Sequence, residues 1–360
     1  MNIRVRPNIH ALTAYAPPWT GLDRTRYLRL DLNENTRALP PEIRPALERF
    51  WESGAASRYP EYLEFLPKLA AYVGVDENQL ILTNGSDQGI EIVLRAFLDP
   101  GDGMVVAQPE FPIFSHAAKI IGAQVQGVPF NADLSFPSDS FLEAINANTR
   151  LVVLINPNNP TGSTVPMEII QTVLARHPNL PILVDEAYFE FTGITCLELL
   201  RNHSNLIVIR TFSKAFAMAG LRLGYVIAHP EMIGELNKVR GPFDVNACAV
   251  AVASAQLDLL HLSQGYVREV MTQGKPFVEN AFREHGVQFF PASANFMLVQ
   301  PLDRDQAVAA MKEQGILVRP MVAPSLLKTF RLTLGPLEEM EKFITKFLLY
   351  TNKLKERVYP

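Results

Sequence analysis

Three apolar runs, Leu151–Ile155, Ile182–Val184 and Leu206–Arg210, constrain this chain more than any other feature. Each is only three to five residues long. Runs that short and that uniformly apolar read as strands buried on both faces of a sheet. The stretch Glu168–Arg176, between the first two, reads as a helix. Strand, helix and strand in that order build a mostly parallel sheet flanked by helices, so the fold class is α/β. Upstream, Leu80–Thr83 and Met104–Ala107 read as further strands, with helices over Leu63–Tyr72 and Ser86–Leu98.

The two ends of the chain differ from this core. Tyr15–Pro45 is rich in Pro and Arg and poor in periodicity, as in an arm lying on other surfaces, with a short strand at Tyr27–Leu32. Pro230–Gln264 reads as helical, and Val267–Gly286 as a long helix leading out of the large unit. Val287–Gln300 and Ile316–Leu334 read as strands around a helix at Asp303–Gln314, followed by a helix over Glu338–Lys355. A chain of 360 residues is too long for one small core. The expected division is an arm at 1–45, a large domain at 46–275 and a small α+β domain at 276–360, the arm contributing to the last.

Composition excludes several classes. Hydrophobic residues make up 48% of the chain, ample to offset the entropy of ordering it. A net charge of −4 gives no basic face for a nucleic-acid backbone. Two cysteines, Cys196 and Cys248, support neither a disulfide scaffold nor a Cys-rich zinc site. His10, His116, His177 and His203 have no ligand spacing, so no metal is expected. The first residues, MNIRVRPNIHAL, lack the apolar run of a secretory leader, and no stretch is apolar enough to span a bilayer. A cytoplasmic protein with no membrane partner is the expectation.

Four constellations carry chemistry. Lys214 sits among small and apolar residues just after a buried strand, where desolvation lowers a lysine pKa and makes it a nucleophile and Schiff-base former. Thr211, Ser213 and Arg222 surround it with hydroxyls and a fixed cation suited to a phosphate. Asp185 ends a strand and Tyr188 follows three residues on, at the sheet edge where ligands of parallel sheets bind. There a carboxylate suits a protonated pyridine nitrogen and a phenol suits a ring oxygen. In Asn156-Pro-Asn-Asn-Pro-Thr-Gly162 two prolines fix the backbone and present Asn159 rigidly. Thr83-Asn-Gly-Ser-Asp-Gln-Gly89 joins a strand to a helix, and the N–H groups at Ser86 and Asp87 make an anion site. Taken singly, each has a plainer reading: a surface lysine, a strand-end cap, a turn, an N-cap. Taken together, they describe a pyridoxal phosphate site.

The order of these motifs resembles the fold-type I pyridoxal-phosphate aminotransferases over nearly the whole chain, and within them the histidinol-phosphate aminotransferases. Leu32-Asn-Glu-Asn35, Arg58-Tyr-Pro-Glu61, Asn84-Gly-Ser-Asp87, the 156–162 turn, Asp185-Glu-Ala-Tyr188, Ser213-Lys-Ala-Phe216, Ala219-Gly-Leu-Arg222, Val239-Arg-Gly-Pro-Phe243 and Phe330-Arg-Leu-Thr-Leu-Gly335 carry it. The resemblance implies a large sheet of the seven-stranded type and a ping-pong transfer between histidinol phosphate and 2-oxoglutarate. It implies that Lys214 holds the cofactor and moves the substrate proton. Asp185 would pair with the ring nitrogen, and Asn159 and Tyr188 with the ring oxygen. Phe111 would stack on the ring, and Ser86, Asp87, Thr211, Ser213 and Arg222 would hold the phosphate. Arg331 would bind the substrate anion, with Asn159, Tyr15 and Arg319 as further substrate contacts. It also implies a homodimer in which Tyr59 reaches the other subunit's cofactor, with Phe243 beside the partner's site. Two positions depart from the family pattern: Phe111 stands where a tyrosine is usual, and Thr36 where a proline is usual. An aromatic amino-acid aminotransferase and a phosphothreonine-type decarboxylase are the alternatives on the same scaffold.

Overall fold

The computed structural model describes residues 3–14, 19 and 21–358. Its strands are β1 (Leu28–Leu30), β2 (Leu80–Thr83), β3 (Gly103–Gln108), β4 (Gln124–Pro129), β5 (Thr149–Ile155) and β6 (Ile182–Asp185). They continue with β7 (Leu206–Thr211), β8 (Gly224–Ala228), β9 (Gln288–Phe290), β10 (Phe296–Gln300), β11 (Ile316–Pro320) and β12 (Phe330–Thr333). Seven of them form one sheet in the order β2-β8-β7-β6-β5-β3-β4. Only β8 runs against its neighbours β7 and β2. The expected α/β class and its seven-stranded, mostly parallel sheet are therefore present.

The apolar runs become the centre of this sheet because both faces are covered. Leu151, Val153 and Ile155 pack into the cluster under helix Gly85–Phe97, whereas Val152 and Leu154 pack into the opposite one with Phe212 and Tyr225. That alternation is the period of two of a strand, hidden in the sequence because both faces are dry. Ile155 lies opposite Asp185, and Asp185 opposite Ile209, so β5 and β6 end level and β7 runs two residues further to Thr211. Functional motifs that follow each strand in sequence are thereby gathered at one edge.

A second sheet has the order β1-β11-β12-β10-β9. β1 pairs parallel with β11 through Leu28 and Ile316, so segments from both ends of the chain share one sheet. The Val287–Gln300 stretch forms two antiparallel strands, β9 and β10, with a turn at 291–295. Likewise Ile316–Leu334 is split into β11 and β12. The long helix expected at Val267–Gly286 is present within a continuous helical run from Leu260 to Glu284, in which Leu260–Glu269 and Lys275–Glu284 are joined by a π-turn at Val270–Gly274. There the Gly335 carbonyl oxygen approaches so closely that a side chain on Gly274 would lie 2.1 Å from it.

Some elements left little trace in the sequence. β4, which reads Gln-Val-Gln-Gly-Val-Pro, is an edge strand with mostly exposed or half-exposed residues, so it carries no apolar run. Helix Arg44–Glu52 begins inside the proline-rich arm and buries only Ala46.

The two sheets meet beside the 156–162 turn. Gly162 has φ +78°, and a Cβ there would lie 2.2 Å from the Cβ of Ala292. The Ser293 N–H donates to the Gly162 carbonyl at 3.0 Å. A Gly162→Ala variant combines a disfavoured backbone with steric overlap and is expected to lose about 1–3 kcal/mol of stability. Thermal or urea unfolding checks this, and an unchanged midpoint would show that the contact yields freely.

Candidate active site

The neighbouring ends of β5, β6 and β7 open into a cavity of about 540 Å³. Its lining includes Ser86, Asp87, Phe111, Asn159, Asp185, Tyr188, Thr211, Ser213, Lys214 and Arg222. These residues come from separate stretches of chain, each just beyond a buried strand. Strand ends are the natural place for such polar groups, because their backbone is fixed by the sheet while the side chain emerges from the core.

Lys214 follows β7, and its Nζ donates to the Leu32 carbonyl at 3.1 Å. Burial pushes its pKa down to about 8, and the positive charge of Arg331 pushes the same way, against Glu34 and Asp87. Asp185 closes β6. Its Oδ1 accepts from the Ala187 N–H at 3.0 Å. Burial nevertheless pushes its carboxyl up to about 7. Tyr188 is buried, which raises its pKa, and its phenol oxygen accepts from Asn33 Nδ2 at 3.0 Å.

On the other side of the cavity, helix Gly85–Phe97 starts with N–H groups that no helical carbonyl can satisfy. Gly85 has φ +73°, and a Cβ on it would lie 2.5 Å from Arg222 Nη2. A Cβ on Gly224 would lie 2.6 Å from the Ser86 nitrogen. Two glycines thus let this helix start approach Arg222 and β8. Arg222 pairs with Asp87 at 2.8 Å, and the hydroxyls of Thr211 and Ser213 lie 2.9 Å apart. One cation, two hydroxyls and a helix N-terminus converge here.

Arg331 comes from β12 of the second sheet. Its Nη1 donates to Asn159 Oδ1, and its Nη2 donates to the Asp31 carbonyl at 2.9 Å. Arg319 lies directly opposite it on β11. The Arg319 Nη1 is buried without a hydrogen-bond partner among the described residues.

One expected site residue lies elsewhere. Tyr59 is 76% exposed and stacks on Phe243 with ring centroids 4.3 Å apart, outside this cavity. Tyr15 lies outside the described residues. Conversely, the sequence reading missed Leu32, Asn33 and Glu34 as contributors. Glu34 lines the cavity and is held by Arg29. The stretch Leu32-Asn-Glu-Asn35 signalled family likeness, but its reach across to Lys214 and Tyr188 depends on tertiary structure.

A family model for aminotransferase class I and II matches residues 25–347. The chain belongs to that family. It is 36% identical to a histidinol-phosphate aminotransferase of Geobacillus sp. (strain WCH70), over 92% of each chain. It is 37% identical to histidinol-phosphate aminotransferase 2 of Ralstonia nicotianae, over 89% of this chain and 87% of that one. Its fold matches that of the Sinorhizobium meliloti histidinol-phosphate aminotransferase in complex with pyridoxal-5'-phosphate, with a TM-score of 0.86, 25% identity and 98% of each chain covered. This aminotransferase has no helix among the described residues that is long and apolar enough to cross a membrane. No group of three or more His, Cys, Asp or Glu among those residues is placed to hold a metal ion.

A buried ion pair backs the site of this aminotransferase. Glu186 accepts from Arg210 Nε at 3.0 Å and Nη2 at 2.8 Å. It also accepts from the Cys196 N–H at 2.8 Å. These bonds fix the peptide between Asp185 and Tyr188. Glu186→Ala leaves Arg210 charged and buried, so a loss of about 3–5 kcal/mol is expected in unfolding experiments. A much smaller loss would mean that water or a neighbouring carboxylate takes over the guanidinium.

Proposed function

We propose that this aminotransferase uses pyridoxal 5'-phosphate to interconvert histidinol phosphate and imidazole-acetol phosphate, with glutamate and 2-oxoglutarate as the second pair. The observation that carries the reading is a half-buried lysine of lowered pKa sharing one cavity with a buried carboxylate, a phenol and an anion cradle. The donor set fits the cofactor. Asp185 is raised by burial, and a protonated pyridine nitrogen beside it would supply a positive charge that offsets that burial. Asn159 and Tyr188 suit the ring oxygen, and Phe111 can stack on the ring but donates no hydrogen bond. The cradle of Ser86, Asp87, Thr211, Ser213 and Arg222 suits the phosphate.

Bound there, the cofactor supplies an aldehyde for the substrate amine and a ring that accepts the electrons left when the Cα–H bond breaks. The remaining work falls to the chain. Lys214 Nζ, substantially neutral near pH 8, would hold the cofactor as a nucleophile and would move the proton at the substrate Cα. Asp185 holds a proton on the ring nitrogen, an electrostatic stabilisation of charge that develops in the transition state. Arg331 binds the substrate anion. Arg319 stands across from it on β11, with an N–H that has no partner among the described residues, so a second guanidinium is available beside the first. A phosphate monoester, with two charges and several acceptor oxygens, uses such a pair fully. Relatives at 36% and 37% identity favour this substrate over the aromatic and decarboxylase alternatives.

A second copy completes the reading. Trp51, Tyr59 and Leu63 are all more than three-quarters exposed, and Tyr59 stacks on the half-exposed Phe243. Large apolar side chains left open in this way suit a subunit interface. In a homodimer that interface would carry Tyr59 toward the partner's cofactor phosphate, with Phe243 beside it.

The half-reaction tests the proposal. Histidinol phosphate and glutamate, added separately, are expected to bleach the visible band of the loaded enzyme. Bleaching by phenylalanine but not by histidinol phosphate would transfer the assignment to an aromatic substrate. Lys214→Ala is expected to abolish turnover. Arg331→Ala is expected to lower kcat/KM for histidinol phosphate about 10- to 100-fold, the value of a charged hydrogen bond.

The lysine also predicts a pH dependence. Only the neutral amine attacks an aldehyde, so the rate of cofactor capture by the cofactor-free protein should rise with pH through about 8. An ordinary lysine would give a rise centred near 10.5. Stopped-flow absorbance reads the midpoint, and a value near the ordinary one would show that Lys214 is not desolvated.

A further inference from the structure

Asn33 is fully buried, and its φ of +54° places it in the left-handed region. Asparagine is among the few non-glycine residues that tolerate that conformation. A polar residue kept there, wholly inside the protein, must have its hydrogen bonds accounted for. Its N–H donates to Thr333 Oγ1 at 2.9 Å. Its carbonyl accepts from Asn295 Nδ2 at 3.5 Å. The Thr333 hydroxyl, already an acceptor, donates to Asn33 Oδ1 at 3.2 Å. That leaves the amide nitrogen Nδ2 facing Tyr188, to whose phenol oxygen it donates at 3.0 Å.

A phenol has a single hydrogen. When a neighbour donates to its oxygen, that hydrogen must point elsewhere. Resting on the cofactor reading above, we propose that Asn33 is a positioning residue that turns the Tyr188 hydrogen into the cavity, toward the ring oxygen of the cofactor. Thr333 in turn sets which end of the Asn33 amide meets Tyr188. The chain of control runs from β12 of the second sheet to the cofactor face of the first. Charged groups also face Tyr188: Arg331 and Asp185 act on it electrostatically, and Lys214 Nζ lies 5.8 Å from its ring centroid. None of these three donates the hydrogen bond that directs the phenol.

The decisive variant is Asn33→Asp, which keeps the shape and replaces a donor by an acceptor, so that Tyr188 should donate to the new carboxylate instead of to the cofactor. Asn33→Gly removes the donor without charge and keeps the left-handed backbone. Two measurements on the full-length protein decide. The first uses tyrosine labelled with 13C at Cζ, in the cofactor-free protein, with the Tyr188 signal identified by its loss in Tyr188→Phe. Asn33→Asp is expected to move that signal downfield, and Asn33→Gly to move it less. An unmoved signal in Asn33→Asp would show that Tyr188 already donates to Asn33 and would overturn the proposal.

The second measurement is the pH midpoint of the visible band of bound cofactor. Donation from Tyr188 stabilises the negative ring oxygen, so losing it should raise the midpoint, by about one pH unit for one hydrogen bond. Asn33→Asp and Tyr188→Phe should each produce that rise, and their combination should add nothing to Tyr188→Phe alone. A rise from Asn33→Asp that persists in full in the Tyr188→Phe background would show a bare charge effect and refute the positioning role. If the wild-type protein gives no band with added pyridoxal phosphate, the cofactor reading fails, and the 13C signal alone decides the Asn33–Tyr188 bond.

Discussion

A lysine ammonium held inside a cavity needs an acceptor, and the Leu32 carbonyl provides it. The rest of the site is arranged around the segment that carries this carbonyl. Asp31, one residue earlier, offers its carbonyl to Arg331, and Asn33, one residue later, donates to Tyr188. Asn35 Nδ2 donates to the carbonyl of Ala215, the neighbour of Lys214, at 2.9 Å. Residues 31–35 therefore form a strap that touches Arg331, Lys214, Tyr188 and Ala215 in turn. The strap leaves β1, which is held in the second sheet by β11. Any shift between the sheets would move both cations of the site at once.

Burial shapes the charges in that cavity. Burial acts on Lys214 and Asp185 in opposite directions, bringing one down to about 8 and the other up to about 7. In water the two groups titrate near 10.5 and 3.8, far apart. Inside the cavity burial narrows that gap, because it disfavours the charged form of each group. Glu34 and Asp87 limit the fall of the lysine, and Arg29 and Arg222 in turn hold those carboxylates in place. Solvent-facing ion pairs of this kind add little stability, but here they shape the field at Lys214.

Strands buried on both faces were legible in the sequence because an unbroken apolar run needs no partner to be recognised. Lys214, Asp185, Tyr188 and Asn159 were legible for the same reason, since each follows such a run within a few residues. The packing of β4 was not legible, because an edge strand with one wet face shows no run. Asn33 and Glu34 lie in an arm without periodicity, and their reach to the cavity depends on β1 pairing with β11 from the far end of the chain. Tyr59 illustrates a different limit. Its exposed ring, stacked on Phe243, has no role within one chain, so neither the local pattern nor a single subunit can assign it one.

Thr36, where the family pattern has proline, shows how the far end of the strap is fixed. A proline ring would set φ but has no N–H to give. The Thr36 N–H donates to the Tyr266 hydroxyl at 3.1 Å. Tyr266 is buried on helix Leu260–Glu269, which leads into the π-turn at Val270–Gly274. Gly274 packs on the Gly335 carbonyl, and a Cβ on Gly335 would lie 3.1 Å from the Thr36 hydroxyl oxygen. Arg37 adds an ion pair to Glu269 on the same helix. Strap, helix and the end of β12 thus converge within one contact. Hydrogen bonds there replace the stiffness of a ring, and the loss of proline leaves the strap anchored where it must be to hold the lysine.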